Sequence, residues 1–275
     1  NRSWAQFNLG DYGNSILSVQ AGLRQARSAH LNQQEFDALT ILGNNYNIIG
    51  NRAEALQCFT DTLAISKKLD NPRRVATALS SIGQQYAESG DHEQALEHYS
   101  QALTTMREFT SYPIILANIL LNVSDMHNQL GDYEQAISYA TEALETAQSA
   151  RYASGEALAL MYNGNIHHNM GDVVGAMTFY DLALARIRAA NTPFIEGMIR
   201  KEMAGLLLET NNTAKALQYL HEALALIQAQ DAKPQVFDIH QQLAMAYQQM
   251  GDYASAFDQL QRFHDVKELV FNEQA

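Results

Sequence analysis

Gly-Asp-Tyr-Glu-Gln-Ala at positions 131–136 and Gly-Asp-Tyr-Ala-Ser-Ala at positions 251–256 decide the fold of this chain. The same string recurs in weaker form at Gly10-Asp11-Tyr12, Gly50-Asn51-Arg52, Gly90-Asp91-His92, Gly171-Asp172-Val173 and Asn211-Asn212-Thr213. The intervals are 40, 40, 41, 40, 40 and 40 residues. Five residues after each turn from the second onward stands an alanine: Ala55, Ala95, Ala136, Ala176, Ala216 and Ala256. Seven before it is a small residue (Gly43, Gly83, Ser124, Gly164, Ala204, Ala244), and four before it a larger one (Tyr46, Tyr86, His127, His167, Leu207, Tyr247). A fixed period of this length is the signature of a repeat architecture.

Each unit reads as two helices. After the turn, Ala95, Leu96, Tyr99, Ala102, Leu103 and Met106 recur three and four apart, as do Val75, Leu79, Ile82 and Tyr86 before it. That is the helical period. Between them, glycine can leave the first helix in the left-handed conformation and aspartate can cap the second. The four prolines, Pro72, Pro113, Pro193 and Pro234, fall between units, where a first helical turn tolerates a missing N–H. The expected fold is all-α: a right-handed superhelical solenoid of helix hairpins, six complete and one partial, with helices of about 17–19 residues, each ~25–29 Å long. Residues 1–30 read as a partial N-terminal repeat, 31–251 as the tandem array, and 252–275 as a final helix leading to an output domain beyond this segment. On that helix Ala256, Leu260, Phe263, Val266 and Val270 form one apolar stripe, expected to face the preceding helices or a second chain.

The spaced small residue, tyrosine, turn glycine, alanine and aromatic (Phe59, Tyr99, Tyr180) resemble the tetratricopeptide repeat family over nearly the whole chain. The period of 40 rather than 34 resembles that family's longer repeats in peptide-sensing and signalling members. The resemblance implies a binding module and no catalysis by this chain. Around the last helix, Tyr253, Ala256, Phe263, His264, Lys267, Glu268, Val270, Phe271, Asn272 and Glu273 resemble the junction where bacterial sensor regions of this family pass into a signalling helix. The domain beyond such a junction is often a GGDEF-type diguanylate cyclase. On this resemblance the chain is expected to be the cytoplasmic sensory domain of a bacterial signalling protein. The alternative is a stand-alone scaffold for protein assembly. Phe263, Val270 and Phe271 are the expected coupling residues, through which a homodimer would form.

Composition narrows the partners. Eighteen basic against thirty acidic residues give a net charge of −12, which argues against non-specific nucleic-acid binding, since that relies on cations displacing counterions from phosphate. The most apolar run, Ile114 to Val123, is too short to span a membrane. A single cysteine, Cys58, allows no internal disulfide and has no activating neighbour, so a plain thiol is expected. His167 and His168 are adjacent in a helix and project in different directions, so no metal site is expected, and no cofactor; His167 reads as a packed core residue. Glu93, Glu97, Glu142 and Glu145 lie on second helices as a solvated outer face.

In such an array the first helices line the concave side. Residues 13, 10, 6 and 3 before each turn give the expected groove: Asn44, Asn47, Gln84, Asn118, Asp125, Asn128, Met161, Asn165, His168, Met198 and Lys201, with Leu121, Leu158, Leu208 and Met245 among the apolar members. Carboxamides both donate and accept, which suits the N–H and C=O groups of an extended peptide. Methionine and leucine supply adaptable apolar pockets. A peptide or protein segment is therefore the expected ligand of the groove.

Overall fold

The computed structural model describes residues 12–109, 111–228 and 233–271, with residues 12, 233, 234 and 265–271 described by backbone alone. Thirteen helices follow one another among these residues: α1 (Tyr12–Ser28), α2 (Asn32–Ile48), α3 (Arg52–Lys68), α4 (Pro72–Glu88), α5 (His92–Arg107), α6 (Pro113–Gln129), α7 (Tyr133–Ser149), α8 (Ala153–Asn169), α9 (Val173–Arg188), α10 (Pro193–Glu209), α11 (Thr213–Gln228), α12 (Lys233–Gln249) and α13 (Tyr253–Phe271). Most are 16 or 17 residues long and α13 has 19, at the short end of the expected range. No strand occurs among the described residues. Contacts divide the chain at Leu130 and Gly131 into two units, one holding α1–α6 and the other residues Gly131–Leu269.

The turns form as the sequence requires. Gly50, Gly90, Gly131, Gly171, Asn211 and Gly251 all have φ between 58° and 83°. At Gly171 the amide of the left-handed residue donates to His168 O at 2.9 Å and the next amide, of Asp172, donates to His167 O at 2.8 Å. These paired bonds satisfy carbonyls that a helix end would otherwise leave open. The following aspartate then caps the second helix: Asp91, Asp132, Asp172 and Asp252 accept from the amides of Gln94, Gln135, Gly175 and Ser255. Asn51 makes no such bond. Pro72, Pro113 and Pro193 each open a helix, and Pro234 is the second residue of α12.

A second set of left-handed residues is not announced by glycine. His30, Asp70, Arg151 and Asn191, with φ from 47° to 53°, close the second helices and turn the chain into the next repeat. Leu31 N donates to Ala26 O and Tyr152 N to Ala147 O, both at 2.9 Å, so the geometry repeats that of the glycine turns. These hairpins are therefore bounded by two short turns of the same kind. This is how the extra residues of the 40-residue period are absorbed into helices rather than loops.

Within the first unit, Phe59 and Tyr99 lie against Gly43 and Gly83; within the second, Tyr180 lies against Gly164. A methyl group on Gly43 would sit 2.6 Å from the Phe59 ring, and one on Gly83 2.9 Å from Tyr99. The small residue is thus the seat of the aromatic. Where the aromatic becomes Leu220, the small residue grows to Ala204, and both lie in one core. Ala55, Ala95, Ala136, Ala176 and Ala216 are fully buried at the helix crossings. The core of the second unit runs through Tyr180, Ala183, Ile187, Ile199 and Met203, then through Leu220, Ile227, Ile239 and Leu243.

On α13, Ala256 is buried and the Phe263 ring stacks on Phe237 with centroids 4.4 Å apart. Leu260, of the same stripe, is 47% exposed, and Phe257 is 63% exposed. The side chains of Val266, Val270 and Phe271 lie outside the described residues.

Candidate functional site

Counting back from each turn places the face formed by the first helices, and the structure resolves that count into three kinds of position. Six before the turn is open in every repeat: Asn44 and Gln84 are exposed, Asp125, Asn165 and Gly205 half-buried, and Met245 exposed. Asn118, thirteen before, is exposed, and Met198 is half-buried. These residues are at least partly open to solvent.

Positions ten and three before the turn do something else: they lie toward the next first helix and fill the seam. In the first unit Asn47 Oδ1 accepts from Gln85 Nε2 at 2.9 Å, tying α2 to α4. In the second, His168 Nε2 is 2.7 Å from Glu209 Oε2, joining α8 to α10. Lys201 Nζ lies 3.1 Å from Glu202 and 3.9 Å from Asp238, joining α10 to α12. Two expected groove residues are core instead. Asn128 is only 4% exposed, and Met161, at 3%, packs with Tyr180, Ile195 and Ile199. Leu121 and Leu208 are buried as well. The physical reason is that a stripe of 13, 10, 6 and 3 is rotated toward the following repeat, whose helix covers it.

Two before the turn, a position the count passed over, Glu88, Gln129, Asn169, Glu209 and Gln249 are exposed and Ile48 is half-buried. Nine before the turn, Ile41, Ser81 and Asn122 in the first unit and Tyr162, Glu202 and Gln242 in the second are half-buried. On α10, Ile195, Ile199, Met203, Leu206, Leu207 and Leu208 are buried, while Met198, Glu202 and Gly205 are half-buried and Glu209 is exposed.

The electrostatics of the second unit's face follow from burial. Tyr180 OH donates to Asn165 Oδ1 at 2.7 Å, so that amide oxygen is engaged. Burial, and then the nearby Glu202 and Glu209 carboxylates, push the Tyr180 hydroxyl well above its ordinary pKa, so it stays a donor. Burial alone would lower the pKa of Lys201, but Glu202 and Asp238 together outweigh it and hold the ammonium charged. Asp238 is nevertheless shifted upward: its own desolvation outweighs the attraction of Lys201, and Glu202 adds repulsion.

The other candidates for chemistry are quiet. His167, half-buried rather than core, holds the capping Asp172 with Nδ1 at 2.8 Å, while His168 reaches Glu209; the two rings engage different partners. Among the described residues no three His, Cys, Asp or Glu side chains are placed to hold a metal ion. Cys58 is buried, and desolvation pushes its thiol up to about 11. No helix among the described residues is long and apolar enough to cross a membrane.

Comparison with known proteins accords with this architecture. Two tetratricopeptide repeat models match, one over residues 34–108 and 196–268 and the other over 117–149, together more than half of the chain. A sequence search of curated proteins found no match. Among solved structures, a Rap protein complexed with the Competence and Sporulation Factor superposes with a TM-score of 0.76 at 19% identity, over 100% of this chain and 74% of that one. The Rap conjugation gene regulator of plasmid pLS20, in complex with the Phr* peptide, gives 0.67 at 18% identity, over 98% and 72%. A tetratricopeptide repeat protein from Parabacteroides merdae gives 0.64 at 18% identity, over 98% and 94%. At these identities the likeness is one of fold.

Proposed function

The chain belongs to the tetratricopeptide repeat family, and on that premise we propose that it is a binding module whose first-helix face receives an extended peptide or the extended segment of a partner protein. The observation that carries this reading is the open position six before each turn. It presents Asn44, Gln84 and Asp125 in the first unit, and Asn165, Gly205 and Met245 in the second. Within each unit, side chains that recur once per repeat suit a ligand whose polar groups also recur along its length. Exposed carboxamides offer both a donor and an acceptor to each, and Met198 and Met245 add adaptable apolar contact. The likeness to Rap proteins, two of them solved with a bound factor or peptide, supports the same use of the fold.

The finer reading is regulatory. The run from Phe263 to Glu273 resembles a sensor-to-output junction, so peptide capture would bias a C-terminal output domain of the diguanylate cyclase kind, in the cytoplasm, with a homodimer formed near Val270 and Phe271. The alternative is a scaffold that holds partner proteins and transmits nothing. The two part on one measurement in the full-length protein: a change of output activity on peptide binding for the sensor, none for the scaffold.

For the binding reading itself, the labelled chain is applied to an array of immobilised random octapeptides, and the peptides retained are titrated against Asn44→Ala/Gln84→Ala. A loss of about tenfold is expected, as ligand groups lose their hydrogen-bond partners. Retention that ignores this pair but falls in Glu93→Ala/Glu97→Ala would move the binding surface to the outer, second-helix face and overturn the proposal.

A further inference from the structure

Along α13, Tyr253, Phe257, Leu260 and His264 recur at spacings of four, three and four, which puts them on one face of the helix. All four are exposed, Tyr253 at 71%. The registers that Phe257 and Leu260 hold, six and nine after the turn, are closed in the earlier second helices of the same unit. Ile137, Met177 and Leu217 are half-buried at the first, and Ala140, Tyr180 and Leu220 are fully buried at the second. No other helix among the described residues shows three exposed large apolar side chains on one face.

The second unit itself shows what covers such a face. Tyr180 of α9 lies in one core with Ile195, Ile199 and Met203 of α10, and Leu220 of α11 with Val236, Ile239 and Leu243 of α12. The cover is an amphipathic helix whose apolar residues fall three and four apart, running antiparallel after a short turn. The stripe on α13 has that spacing itself, so it fits its own copy. A two-fold axis crossing α13 between Asp258 and Gln259 sets Phe257 against the partner's Leu260 and Tyr253 against the partner's His264, each contact made twice. Charge permits the pairing. The stripe carries no carboxylate, lysine or arginine, and Asp258 and Arg262, joined at 2.9 Å, lie on another face of the helix. A partner recognised by charge has nothing to grip here.

We propose that this stripe is a self-association surface, on which a second copy of the chain packs its own α13 antiparallel. This rests on the homodimer reading above and places the contact at Tyr253 to His264, ahead of Val270 and Phe271. One helix pair is a small interface, so association belongs in the micromolar range.

Sedimentation equilibrium of the whole chain across that range should show monomer and dimer exchanging. Each copy carries a net charge of −12, so association through an apolar stripe should tighten as salt rises. Phe257→Asp should weaken it at least about thirtyfold. Leu17→Asp, at a similarly exposed residue of α1, should change nothing. Leu260→Lys should also be monomeric alone, yet its equimolar mixture with Phe257→Asp should recover dimers, because antiparallel pairing sets the two introduced charges against each other. A misfolded variant could not do this. Dimers that persist in Phe257→Asp, dissociate as salt rises, or fail to return in the mixture would overturn the proposal. Persistence in Phe257→Asp with loss in Phe271→Asp would overturn it while the homodimer reading stands. A parent chain that stays monomeric throughout would give the stripe to a helix of another sequence and overturn both.

Discussion

Gly164→Ala puts the repeat grammar at risk in one methyl group. The new Cβ would overlap the Tyr180 ring, with Cδ1 only 2.6 Å away. Tyr180 has nowhere to go: it is fully buried and its hydroxyl is held by Asn165 at 2.7 Å. Alanine in place of a mid-helix glycine gains up to about 1 kcal/mol of helix propensity, whereas overpacking a close-packed core costs about 1–3 kcal/mol. The clash should win, leaving a net loss of about 1–2 kcal/mol. Tyr180→Leu alone should cost about 2–4 kcal/mol through the cavity it leaves. Together the two changes copy the Ala204 and Leu220 pair found in the same register two helices on. The double variant should therefore be more stable than the sum of the singles by about 1–2 kcal/mol. Gly205→Ala is the control: it sits in a comparable helix with space around it, so it should gain the propensity and lose nothing, up to about 1 kcal/mol. Urea unfolding should be followed by amide exchange of α8 to α11, because a repeat array can open locally. Strict additivity in the double variant, or a Gly164→Ala chain more stable than the parent, would refute the seating of the aromatic on glycine.

Arg151, with φ of 53°, holds a conformation costly for a side chain, so Arg151→Gly should raise the thermal midpoint by the equivalent of about 1 kcal/mol; an Arg151→Gly chain that melts lower would contradict the turn geometry. Glu156 is held below the usual carboxylate range by two hydrogen bonds from Arg186, at 2.7 and 2.8 Å. Its folded pKa is depressed, so its stabilisation is present above the ordinary glutamate pKa and lost as pH falls through the folded value. Glu156→Gln should lower the midpoint at neutral pH and flatten its decline on acidification, as read from melts between neutral and acid pH. With its thiol near 11 and buried, Cys58 should react with a disulfide reagent at pH 8 only at the rate of local opening, and fast labelling of the native chain would place it elsewhere.

Much of this protein is written in short strings. The turn of Gly-Asp, the alanine five residues on and the small residue seven before each act within a few ångströms along the chain or across one hairpin, so their residue types suffice to place thirteen helices. The aromatic and its seat are legible for the same reason: Gly43 with Phe59 and Gly164 with Tyr180 are sixteen residues apart and meet inside one repeat. What faces solvent is not local. Whether a residue lines the face or the seam depends on the angle at which the following repeat packs, and that angle is set by side chains some forty residues away. Hence Asn128 and Met161, counted onto the face, are buried in the seam, while Glu209 and Gln249, one position round the helix from Leu208 and Gln248, are exposed. The inter-repeat turns at His30, Asp70, Arg151 and Asn191 carry no glycine to mark them, although His, Asp and Asn are the non-glycine types that adopt the left-handed conformation most often; only Arg151 is a type that gives no such sign. The space at Gly205 combines the two. The missing side chain is in the sequence, but only the approach of α12 decides what faces it, Gln242 Nε2 at 3.7 Å from a Cβ built there.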